Sequence, residues 1–321
     1  MVQYIENSLR KVDILDIRDE IKGYLSNCEF QKKLSKKSIK AYSIDLYQFA
    51  NHAEIIKGKG VTKEEICSYI AELHKSYAPK TAKRKLASLR AFFNYLEFEE
   101  IIDVNPLNKI KTRFQEPKIL PKVIPLEIIE QILSIAHKER LASKTEYGKF
   151  VALRDTAIIE LLFATGIRVS ELCSLKVLDV NLDNGCIHII GKGTKERIVQ
   201  VGNAEALTVL REYRDFSLPS INKEGFFFIN RLSSQITEQS VRFMLKSFCV
   251  KANIIPKITP HMFRHSFATL LLEEDVDIRY IQRMLGHSSI QTTQIYTQVT
   301  TEKQRQILTT KHPRNKIMIE K

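Results

Sequence analysis

Four short segments in the second half of the chain carry side chains suited to work on an anion. In residues 164–172, A-T-G-I-R-V-S-E-L, Gly166 stands where a helix would end and Arg168 where the next would begin. An arginine at that place adds a fixed charge to free backbone N–H groups, which makes an anion site. Glu171, three residues on, shares the helical face and could hold Arg168 in position; the same spacing also fits an ordinary surface ion pair. In residues 191–197, G-K-G-T-K-E-R, two glycines flank Lys192 and present its ammonium at a loop tip, or simply turn a hairpin. The run lacks Walker spacing and precedes a strand, so it is not a nucleotide cradle. In residues 259–265, T-P-H-M-F-R-H, Thr259 is placed to cap a helix and Pro260 to open it, with His261 and Arg264 on one face. His261 and His265 have the i,i+4 spacing of a zinc helix. Met262, however, stands where that motif has glutamate, and Arg264 would repel a cation, so no metal is expected. The fourth segment is Leu285-Gly286-His287-Ser288, followed by Tyr296. Taken singly, His287 could cap a helix and Tyr296 could be packing.

These segments need a frame, and the rest of the chain supplies one. The 321 residues suit two domains, and 44% hydrophobic with 27% charged residues is a globular composition, not a disordered one. No apolar run is long enough to span a membrane. Glu6 and Asn7 interrupt the place where a signal peptide needs its apolar core. Five widely spaced cysteines without a C-x-x-C pair fit a reducing cytoplasm. The net charge is +13 and is shared: 21 basic against 16 acidic groups in residues 1–116, 29 against 21 in residues 117–321. A polyanion held by both halves is the natural partner class, and nucleic acid is its commonest member.

Residues 19–98 read almost wholly as helices, with segments at 35–56, 62–75 and 79–97. Four prolines among basic residues between 105 and 125 mark an extended connector and the domain boundary. Beyond it come helices at 125–137 and 150–164, a turn at Asp183-Asn184-Gly185, strands at 186–190 and 197–201, and helices at 237–251, 260–273 and 278–285. In the helix at 79–97, Ala82, Leu86, Leu89, Phe93 and Leu96 share one face, and Lys80, Lys83, Arg84 and Arg90 lie opposite. That cationic face is either a DNA-contacting surface or a solvated one.

Taken together, the motifs resemble the tyrosine recombinases, and among them the two-domain Xer-type site-specific recombinases. The likeness rests on the order Arg168, Lys192, His261, Arg264, His287, Tyr296, with H-M-F-R-H-S-F-A-T, L-G-H-S-S-I-Q-T-T-Q-I-Y-T-Q-V and the tail's His312-Pro313-Arg314. The match runs through the second half; in the first half it rests on the helix near 79–97. Departures are Phe263 where the family usually has leucine, Leu270 where it often has histidine, and Glu274-Asp275 in place of an Asn-Gly turn.

The resemblance implies a mainly α fold. An N-terminal extension (1–18) would precede a helical, SAM-like core-binding domain (19–104). A basic linker (105–124) would lead to a mostly helical catalytic domain with a small antiparallel sheet (125–321). It implies that Arg168, Lys192, His261, Arg264, His287 and Tyr296 are catalytic, that Glu171 orients Arg168, and that Lys80, Lys83, Arg84 and Arg90 bind DNA. No metal or other cofactor is implied. The expected partner is double-stranded DNA with a two-armed core site, bound by a homotetramer or a heterotetramer with a paralogue, in which a helix near 302–310 docks on a neighbour. Chain length leaves little room for a further arm-binding domain. The role would be chromosome or plasmid dimer resolution, or mobile-element integration and excision. A type IB topoisomerase and a catalytically inactive DNA-binding accessory protein are the competing readings.

Overall fold

The computed structural model describes residues 17–54, 61, 63–110, 122–191, 196–221 and 225–286. Most of the expected extension, the middle of the connector (111–121), Thr62, Lys192, His287, Tyr296 and the tail lie outside the described residues. The chain divides into two compact units, Met1–Lys118 and Ile119–Lys321.

The first unit contains α1 (Ile17–Phe30), α2 (Lys36–Glu54), α3 (Lys63–Ser76) and α4 (Pro79–Phe98). Pro79 opens α4, where its missing N–H is no loss and its fixed φ suits the first turn. Ala82, Leu86, Leu89, Phe93 and Leu96 are all buried, as a 3.6-residue period requires, and Phe92 joins them. Tyr24 of α1 meets Phe92 edge-on with centroids 5.6 Å apart, and Phe49 of α2 meets Phe93 at 6.0 Å.

One ionic cluster sits inside this core. Asp45 of α2 is 2% exposed and Lys85 of α4 is 4% exposed. Lys85 Nζ donates to Asp45 Oδ1 at 3.1 Å and Ser88 Oγ donates to Oδ2 at 2.8 Å, while Arg84 pairs with the same carboxylate from the surface. One step of about 100° around the helix separates inward Lys85 from outward Arg84. Replacing Asp45 by alanine leaves the buried ammonium without a counter-charge, with only Gln48 and the Tyr77 ring beside it, and is expected to destabilise the protein by about 3–5 kcal/mol. Replacing Asp45 and Lys85 together by leucine and methionine should cost far less. Urea midpoints of the single and double variants check both statements.

The second unit is built around α6 (Glu146–Thr165), which packs against α5 (Leu126–Ala142), α8 (Ala204–Ser217) and α10 (Pro260–Glu273). Ala157, Ile158, Ile159, Leu161 and Leu162 are buried, so α6 is apolar nearly all round. It starts four residues earlier than the hydrophobic pattern predicts because Thr145 Oγ1 accepts from the Gly148 N–H at 3.0 Å. It ends on Gly166, whose φ of +61° is the left-handed cap glycine favours. Next come α7 (Val169–Ser174) and the strands β1 (Val180–Asn181), β2 (Cys186–Ile190) and β3 (Glu196–Gln200), antiparallel in the order β1-β2-β3. Gly185, at φ +68°, turns β1 into β2 with Asn181 opposite Cys186.

The remaining helices are α9 (Glu238–Lys251), α10 and α11 (Ile278–Leu285). Two elements exceed the sequence expectation. β1 is too short to show alternation. Helix α8 is capped by Asn203 and buries Ala206, Val209, Leu210 and Tyr213. Thr259 occupies the N-cap of α10, but its hydroxyl makes no capping bond. At the Glu274-Asp275 turn, Asp275 takes a left-handed φ of +64°, the conformation the family's usual glycine would adopt without strain. No described helix is long and apolar enough to cross a membrane.

Candidate active site

Three separate elements meet around one cavity of about 390 Å³ in the second unit. The α6–α7 junction contributes Arg168 and Ser170, the start of α10 contributes His261 and Arg264, and α9 contributes Arg242. The junction is possible because Gly166 reverses the chain within one residue. A Cβ there would lie 2.6 Å from Phe267 Cδ1.

Arg168 sits at the N-cap of α7 with its side chain 39% exposed toward solvent. Glu171 holds it twice: the backbone N–H of Arg168 donates to Oε2 at 2.9 Å and its guanidinium to Oε1 at 2.7 Å. Arg197 of β3 grips the same carboxylate from the other side, at 3.1 and 2.8 Å. Two guanidiniums on one carboxylate leave net positive charge beside the cavity.

Burial alone would raise the Glu171 pKa. The hydrogen bonds from Arg197 and Arg168 and the Arg197 charge outweigh burial and bring it down to about 2. Its folded value lies below its ordinary 4.5, so the stabilisation is complete above about pH 4.5 and is lost as pH falls toward 2. At neutral pH this amounts to about 3 kcal/mol. The stability advantage of wild type over Glu171→Gln in urea is expected to shrink between pH 4.5 and 3. A difference that stays constant over that range contradicts the assignment.

Arg264 is only 2% exposed. Its Nη1 donates to the Gly166 carbonyl at 2.9 Å and its Nη2 to the Leu285 carbonyl at 2.6 Å. These dipoles fix the plane of the guanidinium without cancelling its charge. They also tie the end of α6 to the end of α11. Ser266 Oγ accepts from the Ile124 N–H at 2.7 Å and donates to the Met262 carbonyl at 2.9 Å, which seats α10 against the segment entering α5.

His261 is exposed at the cavity, with the His265 ring edge-on to it at 4.4 Å. Burial first, then the neighbouring His261 and Arg264, push His265 down to about 4, so it is neutral at pH 7. Among the described residues no group of three His, Cys, Asp or Glu side chains stands together as a metal site.

Of the six residues expected to be catalytic, the structure brings Arg168, His261 and Arg264 to one cavity; Lys192, His287 and Tyr296 lie outside the described residues. In the first unit, Lys80, Lys83, Arg84 and Arg90 are all exposed, and Arg84 is paired with Asp45.

The sequence matches the phage integrase family over residues 123–303 and the N-terminal SAM-like domain of phage integrases over residues 21–100. It is 52% identical over 299 residues to a tyrosine recombinase of Agathobacter rectalis, covering 93% of this chain and 98% of that protein. The chain belongs to the tyrosine recombinases. The recombinase is also 36% identical over 307 residues to tyrosine recombinase XerD of Listeria monocytogenes, covering 93% of this chain and all of the relative. Among solved structures it is similar to XerA recombinase, at 27% identity and a TM-score of 0.52, over 93% of this chain and 99% of that one. Its fold is shared with XerH site-specific recombinase in a post-cleavage complex with a palindromic difH substrate, at a TM-score of 0.72, 23% identity, and 90% and 83% coverage. The recombinase is thus an enzyme of DNA strand breakage and rejoining in site-specific recombination.

Sequence motifs do not single out Arg197 or Arg242 of the recombinase. For Arg197 a signal exists: it alternates with buried Val199 on the inward side of β3, where an arginine needs a partner. Arg242 has none, because only the packing of α9 against α7 brings it to the cavity wall, where it pairs with Glu238 at 2.8 Å.

Proposed function

We propose that the recombinase exchanges strands between two duplex DNA sites through a covalent 3′-phosphotyrosine. The supporting observation is the convergence of Arg168, Arg264 and His261 on one cavity beside the α7 N-terminus. A phosphodiester is already anionic, and its pentacoordinate transition state gathers further charge on the non-bridging oxygens. Two fixed guanidinium forks are suited to that charge, which elsewhere would need a bound cation.

In this reading the Tyr296 oxygen attacks phosphorus as its proton is lost, with His261 and the surrounding cations favouring the phenolate. The P–O5′ bond breaks and Lys192 protonates the departing 5′-oxygen. His287 hydrogen-bonds the phosphate, and Glu171 orients Arg168. The new P–O bond replaces the old one at similar free energy, so resealing by a 5′-hydroxyl of the partner duplex needs no ATP.

The first unit grips the core site by the exposed face of α4, the second by its cavity, and four protomers assemble on two sites. Lys80, Lys83, Arg84 and Arg90, all exposed on α4, carry its phosphate contacts, with Arg84 also paired to Asp45. The Lys83→Ala, Arg90→Ala variant is expected to reduce the slope of log K against log salt by about 0.9 per lost contact. An unchanged slope in fluorescence-anisotropy titrations contradicts the assignment.

The functional reading is tested by incubating the protein with a pool of nicked genomic fragments in EDTA, denaturing in SDS and sequencing DNA that stays bound to protein. Enrichment of a short core between inverted arms is expected. The flanking genes separate dimer resolution from element integration. Fragments bound before denaturation but never covalently trapped would favour a DNA-binding accessory protein instead.

A further inference from the structure

We propose that Arg197 is a positioning residue for strand cleavage, fixing Glu171, and through it Arg168, to the end of the helix that leads into His287. The inference deepens the function proposed above and rests on it. Arg197 spends all of its planar fork inside the protein. Nη1 and Nη2 take the two oxygens of Glu171, and Nε donates to the Met284 carbonyl at 3.0 Å. Its side chain is 12% exposed and that of Glu171 5%, so this is an interior link and not a surface ion pair.

The link joins three elements far apart in sequence: α7, which carries Glu171, β3, which begins four residues after Lys192, and the last turn of α11. Gly286 completes the arrangement. It has a φ of +63°, and a Cβ on it would lie 2.9 Å from Arg197 Cδ, so the arginine stem packs directly on the α11 cap. Arg264 takes the next carbonyl, that of Leu285. Two arginines therefore hold consecutive carbonyls at the C-terminal end of α11, just before His287 in sequence.

Only guanidinium chemistry fits this position. A lysine ammonium could keep the charge on Glu171, but it cannot meet two carboxylate oxygens and a carbonyl in one plane. Without the fork Glu171 keeps only its bonds to Arg168, and nothing ties that pair to β3 and the end of α11, so the Arg168 guanidinium loses its fixed position. A displacement of the order of 1 Å at the phosphate is enough to cost about 100-fold in rate.

The test compares wild type, Arg197→Lys and Arg197→Ala on the pool of nicked genomic fragments, measuring DNA affinity and the rate of covalent adduct formation at equal occupancy. The lysine variant keeps the charge and guards against loss of folding. The expected result is affinity within threefold of wild type, adduct formation down about 100-fold in both variants, and partial recovery of Arg197→Ala by free guanidinium at tens of millimolar. Adduct formation within threefold of wild type in Arg197→Lys would overturn the proposal. So would losses of binding and cleavage in equal proportion without guanidinium rescue, which mark a merely structural role. If wild type itself forms no adduct, the functional reading fails and this inference falls with it.

Discussion

Replacing Arg264 by alanine is expected to slow single-turnover strand cleavage by about 10³-fold while DNA affinity changes less than tenfold. The effect on rate follows from position. Arg264, the fifth residue of α10, lines the cavity, and its guanidinium is aligned before any ligand arrives by the carbonyls of Gly166 and Leu285. A preorganised donor aimed at developing oxyanion charge is worth about 3–4 kcal/mol. Affinity, by contrast, is spread over many phosphate contacts, of which this is one. Arg264→Lys keeps a charge but loses the fork, and an intermediate loss of about 10²-fold is expected. Rates from SDS gels at saturating DNA check both values, and cleavage by Arg264→Ala within tenfold of wild type contradicts the role.

A second large effect, on stability and on cleavage together, is expected from Gly166→Ala. At φ +61° a non-glycine residue costs about 1–2 kcal/mol. The new methyl would also lie 2.6 Å from Phe267 Cδ1 and 3.1 Å from Leu285 Cδ2, an overpacking of about 1–3 kcal/mol. A total near 3 kcal/mol should be read as a lowered urea midpoint. Because the Gly166 carbonyl also anchors Arg264, cleavage should fall further than the loss of folded protein explains. Trimming Phe267 to alanine in the same chain removes the clash but not the backbone strain. The double variant is therefore expected to be at least about 1 kcal/mol more stable than the sum of the single changes. Strict additivity would mean the ring is not the obstacle.

The helices were legible where local chemistry punctuates them. Pro79 opens α4, Gly166 closes α6 and the Asp183-Asn184-Gly185 turn joins two strands. Helix α8 carries its own signal in Asn203 and the spacing of Ala206, Val209, Leu210 and Tyr213, which its polar residues Arg211, Arg214 and Asp215 dilute. β1 has only two residues, so pairing alone reveals it. In α4 the spacing places Lys83 and Arg84 on the outer face but does not say what Lys85 does; it turns inward because Asp45, forty residues earlier, is there to receive it.

The site divides in the same way. Arg168 and Glu171 are three residues apart, and a helix start explains their contact. The Arg197 bond to the Met284 carbonyl spans 87 residues and exists only because α11 packs against β3. Short-range patterns name chemistry-bearing residues; they do not name the residues that hold them in place.

Tyr296 is expected to be the tyrosine that becomes joined to DNA. The direct measurement is to trap the covalent adduct from nicked genomic fragments, digest the DNA and the protein, and locate the nucleotide by mass spectrometry. The account predicts a 3′-phosphonucleotide on the peptide containing Tyr296 and no adduct from Tyr296→Phe. A nucleotide on another side chain, such as the exposed Tyr280 of α11, or an adduct that survives Tyr296→Phe, would contradict it.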